Sequence, residues 1–237
     1  MLETQTVTVI IPAYNEAIRL PKVLEVVCRT DFIDRIVVVD DGSHDRTFEI
    51  AQRFPVDVIR HVRNQGKGKA LVSGIRRYPE SDLYLFLDAD LIHLRDEHLL
   101  ALAEPLVRYP FLNMTIGVFK GGRGTSDLAQ KIFPILNGQR AVRGSWVREL
   151  PNFSWTRFGV EVFLTKFAYD SAANVEMVPL WGLAHYHKEE KYGPFVGFYH
   201  RVKMYVEIFR AYALYENKVR IPEKVVDEKE ARHYVRV

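Results

Sequence analysis

Short runs of consecutive apolar residues recur through the first ninety residues of the chain, and a polar, turn-forming segment follows each of them. An unbroken apolar run of this length is typical of a strand that is buried on both faces. Stretches with apolar residues at helical spacing separate the runs. The pattern predicts strands over residues 7–11, 35–39, 56–59 and 83–87.

Local signals place helices between these strands. Pro21 suits the first turn of one helix, Ser43 or Asp45 can cap a second, and a third is predicted over about 68–78. Strands and helices that alternate at this spacing favour right-handed crossovers. We therefore expect an α/β fold whose mainly parallel sheet has helices on both faces.

The second half of the chain carries weaker signals. They predict strands over 114–119 and 175–180 and helices over 126–136, 162–169 and 195–215. The last is an amphipathic C-terminal helix with only a narrow polar stripe, so its apolar surface should be covered by something. Three alternatives could cover this surface: its own domain, a homodimer partner, or a membrane interface in peripheral contact.

Composition narrows the class of protein. At 237 residues and 48% hydrophobic content, a single domain over 1–237 is expected, with a solvated charged tail over 221–237. A net charge of +3 is too small and too scattered to favour nucleic acid as a partner. A single cysteine, Cys28, indicates a reducing compartment, and the sequence shows neither a signal peptide nor a membrane-spanning run. We expect a cytoplasmic protein, with peripheral membrane contact on the inner face as an option.

The segments after the four strands hold the candidate chemistry, because parallel strands bring their carboxyl ends to one edge of a sheet. Tyr14 can stack on a base, and Asp40 or Asp41 can accept an imide N–H. Lys67 lies between two glycines that let a ligand approach the backbone.

Two aspartates follow the fourth strand. Asp88 and Asp90 are spaced i, i+2, so both side chains can reach one divalent cation, and such a cation would neutralise a diphosphate. Neither a G-x-G-x-x-G nor a G-x-x-x-x-G-K-[ST] motif is present, which argues against a dehydrogenase or a P-loop enzyme.

Four motifs in order carry a resemblance: V-T-V-I-I-P-A-Y-N-E, I-V-V-V-D-D-G-S-x-D-x-T, N-x-G-K-G-x-A-L and F-L-D-A-D. They resemble the nucleotide-sugar half of family 2 glycosyltransferases with the GT-A fold, which would be residues 1–112 here. The resemblance implies a nucleoside pocket lined by Pro12, Tyr14, Glu16, Asp40 or Asp41 and Lys67. It also implies that Asp88 faces the ribose and metal-bound water, and that Asp90 ligates Mg²⁺ or Mn²⁺.

Residues 113–220 would then form the acceptor half. The segment G-Q-R-A-V-R resembles an acceptor-side segment of polyprenyl-phosphate glycosyltransferases, which implies that Arg140 and Arg143 lie near a phosphate. The G-V-E segment resembles that of glucosyl-phosphoglycerate synthases and makes Glu161 the candidate for acceptor positioning or general base. The E-D motif of many inverting members is missing. Either His185 or His187 is expected to complete the metal shell.

The sequence thus predicts a metal-dependent transferase that moves a sugar from a nucleoside diphosphate sugar, with UDP favoured, to a lipid-linked acceptor such as polyprenyl phosphate. A small soluble phosphorylated acceptor is the alternative. A protein that binds sugar nucleotides without turnover, and a nucleotidylyltransferase, are further alternatives.

Overall fold

A computed structural model of the chain describes residues 5–121, 137–185 and 194–219. Strands and helices alternate through most of these ranges. The strands are β1 (Val7–Ala13), β2 (Arg35–Asp40), β3 (Asp57–Arg60), β4 (Leu83–Phe86), β5 (Leu91–Ile92), β6 (Leu112–Lys120), β7 (Arg140–Arg143), β8 (Asn174–Trp181) and β9 (Ala184–His185). The helices are α1 (Leu20–Val27), α2 (Thr47–Ala51), α3 (Lys67–Arg77), α4 (Asp96–Arg108), α5 (Gly144–Glu149), α6 (Val160–Asp170) and α7 (Pro194–Lys218), and a 3-10 helix (Ser154–Gly159) precedes α6.

Within the described ranges, seven strands form one sheet in the order β3-β2-β1-β4-β7-β6-β8. β1 pairs with β2 and β4 in parallel, and β6 pairs with β8 in parallel, whereas β7 is antiparallel to both of its neighbours. The predicted mainly parallel α/β sheet is therefore confirmed. The antiparallel strand β7 and helix α4 were not predicted, and the helix predicted over 126–136 lies outside the described residues.

Two buried apolar clusters, one on each face of the sheet, hold the layers together. Successive residues of β1 belong to different clusters. Val9 and Ile11 pack in the cluster that includes α1 and α4, and Ile10 packs in the cluster that includes α3 and α6. This is the expected consequence of a strand whose successive side chains point to opposite faces. Helices on both faces are thus confirmed.

Successive strands are added on one side of β1 and then on the other, so the loops that follow them diverge and leave a crevice at the carboxyl edge of the sheet. β2 and β3 lie on one side of β1 and β4 on the other, and a ligand crevice is usual at such a switch point. The register between β1 and β4 ends at Ile10 and Phe86, with one further bond from the Leu87 N–H to the Ile10 carbonyl. Pro12, which has no N–H to donate, lies beyond this ladder, where β1 pairs only with β2.

Arg143 and Arg140 lie at opposite ends of β4. Arg143 pairs with Leu83, at the amino end, whereas Arg140 pairs with Phe86 at the carboxyl end. The Arg143 guanidinium donates to the carbonyl oxygens of Leu106 and Leu112, at the end of α4 and the start of β6. This side chain thus stabilises the edge of the sheet opposite the four loops, and its contact with an acceptor phosphate stays a prediction.

The long C-terminal helix α7 confirms the predicted helix, and of the three alternatives for its apolar surface, the described part of its own domain covers only some of it. Ala211 and Tyr215 are buried against the domain, whereas Tyr205, Phe209 and Tyr212 remain 52%, 74% and 58% exposed. Among the described helices, none has both the length and the apolar character that crossing a bilayer requires.

A substitution at Gly66 tests the backbone conformation directly before α3. Its φ of +92° and ψ of 160° lie where essentially only glycine is found, and an added Cβ would meet the Arg157 Cα at 2.8 Å. We predict that Gly66→Ala lowers the free energy of unfolding by about 3 kcal/mol, from strain plus overpacking. Denaturant unfolding measures it.

Gly182→Ala is the matched control. Gly182 also has a positive φ, +77°, but no heavy atom of the described residues lies within 4 Å of an added Cβ. The free energy of unfolding of Gly182→Ala should fall by only about 1 kcal/mol, the cost of the backbone conformation. Equal losses at the two glycines would contradict the tight contact between Gly66 and Arg157.

Candidate active site at the carboxyl edge of the sheet

The loops after β1 and β2 are joined by hydrogen bonds. The Asn15 N–H donates to the Ser43 hydroxyl at 2.9 Å, and the His44 N–H donates to the Asn15 side-chain oxygen at 2.9 Å. Asn15 has a φ of +56°, which asparagine tolerates better than most residues. The Glu16 N–H donates to the Thr47 hydroxyl at 2.8 Å. Together these bonds fix the loop that carries Tyr14.

Asp41 organises the loop after β3. Its Oδ1 accepts from the Gln65 N–H at 2.9 Å and contacts His61 Nδ1 at 2.7 Å, and its Oδ2 accepts from the Gly66 N–H at 2.7 Å. The other imidazole nitrogen of His61 contacts the Ser73 hydroxyl at 2.9 Å. The buried Asp41 carboxylate therefore holds the backbone just before Lys67 in its turn.

Asp40 has a different environment. It is fully buried, and its Oδ1 accepts from the Ser43 N–H at 3.0 Å. Its Oδ2 lies 3.3 Å from Arg60 Nε and makes no hydrogen bond among the described residues. An acidic oxygen and a guanidinium thus lie side by side where β2 and β3 end.

Lys67 lies at the centre of the edge. It begins α3, and its ammonium contacts Asp88 Oδ1 at 2.5 Å and Glu161 Oε1 at 2.6 Å. Burial acts to lower the pKa of Lys67, but the charges of Asp88 and Glu161 outweigh it, so the pKa lies above its ordinary value. This ammonium thus joins the first half of the chain to the second.

Asp88 is held from two sides. Lys67 contacts its Oδ1, and the Gln139 side-chain amide donates to its Oδ2 at 2.7 Å. The backbone of Gly138 closes the same space, because a Cβ on this residue would lie 2.4 Å from the Lys67 ammonium and 2.6 Å from Asp88 Oδ2. A side chain at residue 138 would therefore displace the Lys67 and Asp88 groups from their present positions.

Glu161 and Arg140 form the second side of the site. Glu161 lies in the first turn of α6, as predicted, and is 9% exposed. Arg140 is 1% exposed, and its guanidinium donates at 3.1 Å to the carbonyl oxygens of Asn137 and Glu161 and to the Thr165 hydroxyl. Burial lowers the pKa of Arg140 to about 10, although the charge of Glu161 acts in the opposite direction. Arg140 thus supports the turn that carries Glu161, and its contact with an acceptor phosphate stays a prediction.

The candidate metal ligands lie around a two-stranded ladder. Asp90 is partly exposed and directly precedes β5, where Leu91 pairs with His185 of β9. The backbone of His185 is therefore next to the aspartate turn, and His187 lies outside the described residues. The side chains in the described part of the chain do not form a complete group of three or more ligands. A carboxylate such as Asp90 fits the ligand preferences of Mg²⁺ and Mn²⁺, and a histidine is a ligand type that Mn²⁺ also accepts.

The remaining predicted pocket residues lie on the β1 side of the crevice. Pro12 and Tyr14 are partly exposed, and the Tyr14 ring meets the His44 ring edge to face at 6.3 Å. Glu16 is 7% exposed and lies 3.5 Å from Arg19. The structure thus brings the predicted donor residues to one edge.

Sequence reasoning missed three residues that the site uses: His61, Gln139 and Arg157. Arg157 has a φ of +52°, and it donates to Asn64 at 3.1 Å and to Glu207 of α7 at 3.0 Å. It thereby fastens the loop before Lys67 to the C-terminal helix. His61 directly follows β3, and this position was its only signal in the sequence.

Lys67→Met tests the ion cluster. Removing the partner of two largely buried carboxylates should lower the free energy of unfolding by about 3 kcal/mol at pH 7. Because the folded pKa of Lys67 is raised, its stabilisation is complete below the unfolded pKa of about 10.4 and is lost only as the pH rises through the folded pKa. The deficit of the variant should therefore stay constant from pH 7 to 9.

Lys69→Met in the same helix is the control, and it should change stability by no more than about 0.5 kcal/mol. Denaturant unfolding at several pH values measures both variants. A Lys67→Met deficit that shrinks between pH 7 and 9 would contradict the described ion cluster.

Comparisons with known proteins agree with this geometry. The chain is 39% identical over 103 residues to 4,4'-diaponeurosporenoate glycosyltransferase of Staphylococcus haemolyticus. The aligned region covers 41% of this chain and 27% of the relative. It is 41% identical over 96 residues to dolichol-phosphate mannosyltransferase of Pyrococcus furiosus, covering 37% of this chain and 26% of the relative. The chain thus matches only about a quarter of the length of these two relatives.

Solved structures match over more of the chain. Glucosyl-3-phosphoglycerate synthase of Mycobacterium tuberculosis, in complex with Mn²⁺ and UDP-glucose, is 25% identical with a TM-score of 0.66, covering 78% of this chain and 72% of the other. The same enzyme in complex with phosphoglyceric acid is 22% identical with a TM-score of 0.72, covering 93% and 82%, which supports the likeness of fold.

A family model described as "Glycosyl transferase family 2" matches residues 8–163, well over half of the chain. That segment contains all four loops at the carboxyl edge, and it also includes Gln139, Arg140 and Glu161. The chain belongs to glycosyl transferase family 2.

Proposed function

We propose that this chain transfers a sugar from a nucleoside diphosphate sugar to a phosphate-bearing acceptor, with the help of a divalent cation. The observation that carries the proposal is the ion cluster of Lys67, Asp88 and Glu161 at the switch point of the sheet, in a chain of this family. The cluster joins the predicted donor side to the predicted acceptor side.

The donor base belongs on the β1 and β2 side of the crevice. Tyr14 offers an aromatic face, and Asp40 Oδ2 beside Arg60 offers an acceptor next to a donor, which complements an N–H next to a carbonyl on the edge of a base. Asp41 is engaged with the loop after β3, so of the two candidates we assign base contact to Asp40, whose buried Oδ2 must be exposed by a local shift as the base binds. Uridine is favoured, and the solved structure with UDP-glucose supports this choice.

Lys67 is placed to act on the donor diphosphate. An ammonium has three N–H donors, and within the described part of the chain its contacts with Asp88 and Glu161 occupy two of them. We assign the third to a phosphate oxygen of the donor. Because the leaving diphosphate gains negative charge as the sugar departs, a fixed ammonium at this point stabilises the transition state more than the bound donor.

We assign cation binding to Asp90 and to His185 or His187, with Asp88 facing the ribose and metal-bound water. A bound Mg²⁺ or Mn²⁺ would supply a Lewis acid for the departing diphosphate. Asp88 and Asp90 follow the same strand, so the bonds that fix Asp88 also restrict where Asp90 can lie.

The acceptor side is Glu161, held by Lys67 and supported from behind by Arg140. We assign to Glu161 the positioning of the acceptor, or the removal of its proton where the acceptor is a hydroxyl. A phosphate acceptor already carries a nucleophilic oxygen, so it needs no strong base, which suits the missing E-D motif.

The first choice of acceptor is a lipid-linked phosphate. Two observations support it: the dolichol-phosphate relative, and the exposed apolar side of α7, which would suit contact with a membrane surface. A small phosphorylated acid is the alternative, and the solved structure with phosphoglyceric acid supports it.

Asp90→Ala tests the proposed reaction. The variant should lose Mn²⁺-dependent sugar transfer or hydrolysis from UDP-glucose by at least about 100-fold, because the proposed cation ligand is gone. Release of UDP across a manganese titration measures it. Asp31→Ala, at an exposed aspartate on the amino side of β2, is the control and should keep wild-type activity. Turnover that survives unchanged in Asp90→Ala would overturn the metal assignment.

A panel of acceptors distinguishes the two acceptor classes. With one radiolabelled donor sugar, we expect label to enter undecaprenyl or dolichyl phosphate in detergent and not 3-phosphoglycerate. Label in phosphoglycerate alone would reverse that assignment while keeping the transferase. Tight donor binding without transfer or hydrolysis, across UDP, GDP and dTDP sugars, would overturn the transferase in favour of a binding protein.

A further inference from the structure

Gln139 lies at the centre of the site, yet neither the sequence motifs nor the proposed reaction gives it a role. It is 0% exposed and directly precedes β7. Its backbone is fixed on both sides, because the Gly117 N–H donates to its carbonyl at 2.9 Å and its own N–H donates to the Asn137 side-chain oxygen at 3.2 Å. The side chain therefore starts from a rigid point.

The Gln139 carboxamide makes a pair of hydrogen bonds with one residue, Asp88. The Asp88 N–H donates to Gln139 Oε1 at 3.0 Å, and Gln139 Nε2 donates to Asp88 Oδ2 at 2.7 Å. A backbone N–H can only donate and a carboxylate only accept, so these partners fix which end of the amide is which. A glutamate could not make both bonds while ionised.

These two hydrogen bonds extend the pairing between β4 and β7 beyond the last backbone bond of the ladder. The backbone ladder between β4 and β7 ends at Phe86 and Arg140. The Gln139 side chain bonds to residue 88, two positions beyond the end of β4. The turn that carries Asp88 and Asp90 is thereby fixed to β7. Fixing that turn sets the direction from which both carboxylates face a ligand.

The second consequence concerns Lys67. Its ammonium contacts Asp88 Oδ1, while Gln139 holds Oδ2. Rotation of the Asp88 carboxylate would break both contacts, so the amide also fixes the position of the lysine. Hydrogen bonds to charged groups are stronger than those between neutral groups, which makes this a stiff arrangement.

We propose that Gln139 is the positioning residue of the donor site: its carboxamide aims Asp88, and through Asp88 the Lys67 ammonium, at the nucleoside diphosphate. The inference rests on the proposed function, since it assumes that a nucleoside diphosphate binds here. Gln139 itself need not touch the ligand.

A double-mutant cycle tests it, with UDP affinity measured by calorimetry in the presence and absence of Mn²⁺. Gln139→Met keeps the size of the side chain and removes both hydrogen bonds, and UDP affinity should fall by about 10- to 100-fold, as is usual when an outer partner of a site is lost. In an Asp88→Ala background the same substitution should cost clearly less affinity, because the bond to the Asp88 carboxylate is already gone and only the bond from the backbone N–H of residue 88 remains to be lost. Asp88→Leu, which has about the same size and no acceptor atom, replaces Asp88→Ala if the alanine variant does not fold.

Thr115→Val is the matched control. It removes a buried hydrogen bond from the Thr115 hydroxyl to the Leu102 carbonyl, away from the site. It should lower the melting temperature without changing UDP affinity, which separates positioning from general stability.

Two results would overturn the inference while leaving the proposed function intact: unchanged UDP affinity in Gln139→Met, or losses that add in the double variant. A wild-type chain that binds none of UDP, GDP and dTDP would overturn the proposed function itself, and this inference with it.

Discussion

A buried lysine between two carboxylates is the constraint on which the rest of the site depends. Lys67 contacts Asp88 of the first half of the chain and Glu161 of the second half, and burial alone would disfavour its charge. The two acids reverse that effect, so the ammonium stays charged in a largely buried position. The absence of a side chain at Gly138 leaves room for the Lys67 ammonium and the Asp88 carboxylate in this arrangement. The fold is arranged so that three separate elements meet at this ammonium.

The loops around the ion cluster are fixed by bonds that the protein makes to itself. Asp41 binds two successive backbone N–H groups before Lys67, Gln139 holds Asp88, and Arg140 holds the carbonyl of Glu161. None of these contacts requires a ligand, so the geometry of the site is set by folding. Preorganised charges stabilise a transition state more than mobile ones, because no further reorganisation is needed when the bond breaks.

The sequence was sufficient for the parts of the fold that depend on local pattern. The strands of the first half and the helix that begins near Gly66 follow from apolar runs and turn residues, and the meeting of their loops follows from parallel topology. It was insufficient where a residue's role depends on a distant partner. Arg140 and Arg143 are three residues apart in one motif, yet antiparallel pairing puts them at opposite ends of β4. Gln139 gave no signal because its bonds to Asp88 join residues that are far apart in the sequence.

A crystal structure of the chain with UDP and Mn²⁺ would show whether the Lys67 ammonium binds the donor. We expect the diphosphate within hydrogen-bond distance of that ammonium, the uracil between Tyr14 and Asp40, and the ion on Asp90. A nucleotide bound elsewhere on the molecule, with Lys67, Asp88 and Glu161 making no contact to it or to the ion, would contradict the proposed role of the ion cluster.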